Sequence, residues 1–107
     1  MPKTITKDNF QTEVLNATKP VVVDVFAPWC GPCQHMMPTF EEVAQETSDK
    51  YILVKLNVDE SRELAMQFGV TSIPTLLFFN KGTLQGRHTG YMEKEEILEK
   101  IESIFGA

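Results

Sequence analysis

Cys30 and Cys33 stand three residues apart, where a β-branched run gives way to a helical pattern, and this feature constrains the chain most. The run is Val21-Val22-Val23-Asp24-Val25-Phe26, which reads as a buried strand. From Cys33 to about Asp49 the residues Met37, Phe40, Val43, Ala44 and Thr47 follow helical spacing, with Pro38 expected to kink the helix. Two cysteines are too few for a disulfide scaffold. A bridge between them closes so small a loop that it restrains the unfolded chain very little. The pair is therefore expected to do chemistry.

Residues i and i+3 on a helical turn share a face, with Cβ atoms about 5–6 Å apart. A modest adjustment brings them to disulfide geometry. A cysteine at a helix N-terminus meets unpaired N–H groups and the positive end of the macrodipole, and both stabilise a thiolate. Thiolate is the attacking species in disulfide exchange. Pro32 costs no hydrogen bond in a first turn and stiffens the spacing, while Gly31 permits a tight turn. The competing reading is half a zinc site completed by His35 or His88. Structural zinc takes four ligands, no second cysteine pair exists, and His35 points elsewhere on a helix.

The rest of the chain alternates between strand and helix patterns. Asp8 to about Ala17 reads as a helix capped by Asp8, with Gln11 at the capping-box position and Phe10 and Val14 on one face. Ile52 to Val58 reads as a second buried strand. Glu60 to Phe68 reads as a short helix with Leu64, Ala65 and Phe68 inward, stopped by Gly69. Thr75 to Phe79 and Thr83 to Thr89 form an antiparallel pair about the Asn80-Lys81-Gly82 turn. A last helix from about Glu93 to Phe105 turns Ile97, Leu98, Ile101, Ile104 and Phe105 inward. The stretch from Val21 to Val58 is long enough for a right-handed parallel crossover. A parallel βαβ unit followed by an antiparallel hairpin makes an α/β mixed sheet covered by helices on both faces. The length, 107 residues, fits one domain, 1–107.

A net charge of −5 repels phosphate backbones and argues against nucleic acid as a partner. Glu93, Glu95, Glu96, Glu99 and Glu102 read as a solvated helix face. No apolar run is long enough to span a membrane, so no membrane association is expected. Met1-Pro2-Lys3 leads into folded-looking sequence with no signal pattern, so a cytoplasmic location is expected. The five methionines read as core filler. Asp24, a carboxylate inside an apolar run, is costly there unless neutral or paired.

Trp29-Cys30-Gly31-Pro32-Cys33 resembles the active-site sequence of the thioredoxin family. The order Asp24, that motif, Pro38, Lys55, Ile73-Pro74, the Gly82 turn and Gly90 is similar from end to end. The resemblance implies the thioredoxin fold, a central mixed sheet flanked by four helices. It implies Cys30 as nucleophile and Cys33 as resolving thiol. Asp24 would lie beneath the pair, with Lys55 on the neighbouring strand, and would move the Cys33 proton through water. It implies a redox-active Cys30–Cys33 disulfide, with Trp29, Gly31, Pro32 and Lys55 shaping the site. Pro74 would be cis, although X–Pro bonds are mostly trans. Ile73, Pro74 and Gly90 would receive an extended substrate segment by strand addition. Phe26 stands where many members carry a second tryptophan, and Tyr91 and His35 are less usual and can tune partner choice.

The implied activity is reduction of disulfides in other proteins. A thioredoxin reductase, NADPH- or ferredoxin-linked, would regenerate the dithiol. No cofactor is expected on this chain, since it has no glycine-rich nucleotide loop, and a monomer is expected. Two rivals stand beside this reading. An oxidant or isomerase differs only in reduction potential, and a binding module would use the same apolar rim without chemistry.

Overall fold

The structure is a computed structural model and describes residues 2–106. Five strands form one sheet in the order β1-β3-β2-β4-β5. They are β1 (Lys3–Thr4), β2 (Val21–Phe26), β3 (Ile52–Asn57), β4 (Thr75–Asn80) and β5 (Thr83–Thr89). β1 and β2 each run parallel to β3, and β4 runs antiparallel to both β2 and β5. β2 and β4 lie inside the sheet and are buried on both faces, because helices cover both, and Asp24 is the one charged residue in either strand.

Four helical segments flank the sheet: a π-type segment (Gln11–Leu15), α1 (Gly31–Glu46), α2 (Arg62–Gln67) and α3 (Lys94–Phe105). On one face, Val22, Leu53, Leu76 and Phe78 pack with Met36, Phe40 and Val43 of α1 and Ile97 and Ile101 of α3. On the other, Val23, Val54, Leu77 and Phe79 pack with Phe10, Val14, Leu64 and Ala65. The inward stripe expected for α3 is present, and its glutamates are exposed. Glu93 and Glu96 close a capping box at its start.

Several sequence expectations are corrected. β1 is an additional strand; at two residues it carries no periodic signal. The first helical turn opens at Thr6 rather than Asp8. The Thr6 hydroxyl accepts from the Asp8 N–H (3.2 Å), and the Asn9 side chain accepts from the Thr6 N–H (2.8 Å). Gln11 bonds to Asn16 instead of completing a cap. In α1 the fully buried stripe is Cys33, Met36, Phe40 and Val43; Met36 joins the expected face, and Met37 and Ala44 pack at its edge, partly buried. α1 begins two residues earlier than expected and continues through Pro38 to Glu46.

The β4–β5 hairpin turns through Lys81 and Gly82, both at positive φ. Further along it, the register shifts between Phe78 and Phe79. Leu84 pairs with Phe79 and Gly86 with Phe78, which leaves Gln85 as the extra residue. Beyond this bulge Arg87 pairs with Leu77 and shares its face, the side covered by α2.

Candidate active site

Helix α1 starts where β2 ends, so the loop Ala27–Cys30 delivers the cysteine pair to the end of the parallel strands. Cys30 is the N-cap residue, with extended backbone, and Gly31 and Pro32 form the first turn. The two cysteines are disulfide-bonded, with Cα atoms 5.2 Å apart. The Cys33 N–H donates to Cys30 Sγ at 3.2 Å. The first-turn amide therefore finds its partner in the sulfur, as it would in a capping oxygen. Cys30 keeps 6% of its surface exposed and Cys33 only 1%. Ala27 packs with the pair, and Phe26, Val58 and Ile73 border them.

Asp24 sits in the middle of β2, opposite Lys55 on β3 and Leu76 on β4. By strand alternation it shares the face of Val22, the side covered by α1. It is fully buried, and neither carboxylate oxygen has a hydrogen-bond partner among the described residues. Burial pushes its carboxyl up to about 7, with the nearby Lys55 charge working in the opposite direction. Lys55 is half-buried and makes no ion pair among the described residues, so it acts only through its field.

The Ile73-Pro74 bond is cis. Pro74 is buried, and its carbonyl accepts from the Gly90 N–H at 2.8 Å, which ties β5's exit to the proline. Gly90 has a φ of 111°, and no atom lies within 4 Å of where a Cβ would stand, so its outer side is open. Beyond Gly90, Tyr91 is exposed and its ring lies 6.1 Å from that of His35 on α1.

Next to Cys30 in sequence, Trp29 is 71% exposed, and its Nε1–H donates to both Asp59 oxygens at 3.1 and 3.2 Å. The ring is thus fixed in orientation without being part of the core. It borders a groove of about 550 Å³, whose other sides are α2 (Arg62, Ala65, Met66) and the segment from Val70 to Ile73. Met66 is 62% exposed here, so it is a surface residue and not core filler; Met36 and Met92 are buried as expected.

Sequence reasoning missed Asp59, Met66 and the groove. The usable signal for Asp59 was its place just past β3, since ligand sites gather at the C-terminal ends of parallel strands. Met66 gave no signal, because exposure of one helical methionine depends on what covers it.

The thioredoxin family model matches residues 1–103. The chain is 43% identical over 101 residues to a thioredoxin of Chlorobaculum thiosulfatiphilum, covering 94% of both chains. It is 44% identical over 101 residues to a thioredoxin of Alicyclobacillus acidocaldarius subsp. acidocaldarius, covering 94% of this chain and 95% of the relative. A thioredoxin 1 of Nostoc sp. is 40% identical over 98 residues, covering 92% of each. With the five-stranded mixed sheet, its helices and a bonded cysteine pair at a helix start, these matches show that the chain belongs to the thioredoxin family of thiol–disulfide oxidoreductases.

Proposed function

We propose that this chain reduces disulfides in other proteins, with Cys30 as nucleophile, Cys33 as resolving thiol and Asp24 as proton acceptor. The observation that carries the reading is the Cys33 N–H aimed at Cys30 Sγ at a helix N-cap. On reduction, that amide and the helix end favour negative charge on the outer, accessible sulfur.

The cycle balances as two exchanges. Cys30 thiolate attacks one sulfur of the target disulfide, the target S–S bond breaks, and a mixed disulfide forms. Cys33 loses its proton to Asp24 by way of water. Its thiolate attacks Cys30 Sγ, the mixed disulfide breaks, and the second target sulfur leaves. The target gains two electrons from the dithiol and two protons, one that began on Cys33 and passed through Asp24 and one from solvent, since Cys30 enters as a thiolate. This chain then holds the Cys30–Cys33 disulfide. A buried carboxyl poised near neutrality can both take and return a proton at ordinary pH.

Trp29, Gly31 and Pro32 shape the rim of the site. Ile73, Pro74 and Gly90 receive the extended target segment, which passes the pair and continues into the groove beside Trp29. The open side of Gly90 supports close approach by a target backbone. A thioredoxin reductase returns two electrons to the disulfide, and the protein works in the cytoplasm as a carrier in redox homeostasis. Among the described residues, no helix is long and apolar enough to cross a membrane.

The test is a coupled assay with NADPH, a thioredoxin reductase and a protein disulfide. Turnover is expected with the parent protein and is lost in Cys30→Ser. An inactive parent under these conditions overturns the reductase assignment.

A further inference from the structure

The wall of the groove opposite Trp29 is built from two pieces that meet at a corner. One piece is α2, carrying Ala65 and Met66; the other is the segment from Val70 to Ile73, which leads into Pro74. The corner is Phe68-Gly69, with Gly69 at a φ of 69°. Arg87 of β5 reaches this corner. Its Nη2 donates to the Phe68 carbonyl at 2.5 Å and its Nη1 to the Gly69 carbonyl at 3.5 Å, the second at the outer limit of a hydrogen bond. Carbonyls at a helix C-terminus lack intrahelical partners, and a guanidinium is a fitting donor for them. The β5 bulge makes the contact possible. It places Leu84 and Arg87, three residues apart, on the α2 face, whereas uninterrupted alternation would place them on opposite faces.

We propose that Arg87 is a positioning residue for protein targets. It ties the corner between α2 and the Val70–Ile73 segment to the sheet, and so fixes the width of the groove that takes the chain flanking the target's disulfide. The inference rests on the reading that the target segment runs from the cysteine pair into this groove. The mixed disulfide anchors the target at Cys30, and an extended chain advances about 3.3 Å per residue. A few flanking residues therefore reach the groove. A disulfide with no flanking chain does not reach it and is indifferent to its width.

The experiment mixes pre-reduced protein with excess insulin, or with hydroxyethyl disulfide as a small disulfide, and follows oxidation of the dithiol. In Arg87→Ala the half-saturating insulin concentration is expected to rise about three- to tenfold with the limiting rate unchanged, as suits the loss of one charge-assisted contact. The rate with hydroxyethyl disulfide stays at the parent value. Arg87→Lys, which keeps the charge and a donor, should fall between the two, and it carries the comparison if Arg87→Ala does not fold. Unchanged insulin kinetics, or equal losses with both disulfides, overturn the proposal, because a merely structural role does not separate them. Met66→Glu, which puts a charge in the groove, distinguishes the two layers of the argument. If it weakens insulin binding while Arg87→Ala does not, the groove reading stands and the role of Arg87 falls. If neither changes insulin kinetics, the groove reading falls as well.

Discussion

Asp24 and Lys55 are direct register partners on parallel strands, yet the carboxylate lies fully buried with no partner for either oxygen and the ammonium forms no ion pair among the described residues. Desolvation therefore outweighs the attraction of Lys55, and the acid is held near neutrality rather than in the usual carboxylate range.

This has a cost that depends on pH. Below about pH 3 the carboxyl is protonated in both folded and unfolded chains, and there is no penalty. As pH rises from there to about 7, the unfolded chain releases the proton and the folded one keeps it, so stability falls. Above about pH 7 both are ionised and the penalty levels off. A displacement from 3.8 to about 7 corresponds to a penalty on the order of 4 kcal/mol. Asp24→Asn should raise stability at pH 8 by about 2 kcal/mol, the remainder being offset by the amide's own buried polar atoms. That offset does not change with pH, so the gain should shrink as pH falls and reverse to a loss by about pH 3, where Asp24 is protonated in both states. Urea melts at both pH values check it, and a variant less stable than the parent at pH 8 removes the argument.

Asp24→Asn should also slow the second exchange, since the acceptor for the Cys33 proton is gone. Mixing the reduced variant with a protein disulfide should show longer-lived mixed disulfide than the parent, with the first exchange little changed. Equal lifetimes across pH 6–9 would sink this role.

Cys30 and Cys33 differ in exposure and in hydrogen bonding, so their reactivities should separate. In the reduced protein at neutral pH, iodoacetamide should modify Cys30 at least about tenfold faster than Cys33. Mass spectrometry of the alkylated peptides reads the ratio. Cys33→Ser should accumulate the mixed disulfide at Cys30, visible on a non-reducing gel. Modification of Cys33 first would reverse the assigned roles.

Gly90 combines a φ of 111° with open space on its outer side. Gly90→Ala should cost about 1–2 kcal/mol, from backbone strain and not from a clash. Because the methyl group would project where the target backbone passes, KM for a protein disulfide should also rise. A thermal melt and steady-state kinetics measure the two effects separately.

Much of the fold was legible because its signals are local. The β-branched runs of β2 and β3, the Gly82 turn and the inward stripe of α3 are patterns within one segment. The reactive pair was legible for the same reason: one helical turn fixes the spacing of Cys30 and Cys33 and the N-cap position of the first. Asp24 was identifiable as anomalous from its neighbours alone, but its burial and raised protonation follow from the helix and strands that cover it. Only tertiary packing decided that Lys3–Thr4 joins the sheet and that Pro74 is cis beside Gly90. The same holds for Asp59 holding Trp29 at the groove, and for a one-residue bulge turning Arg87 toward α2. Each of these is a relation between residues far apart in the chain. Local propensity carries no information about such pairs, because their geometry is fixed only when strand register and helix packing are in place.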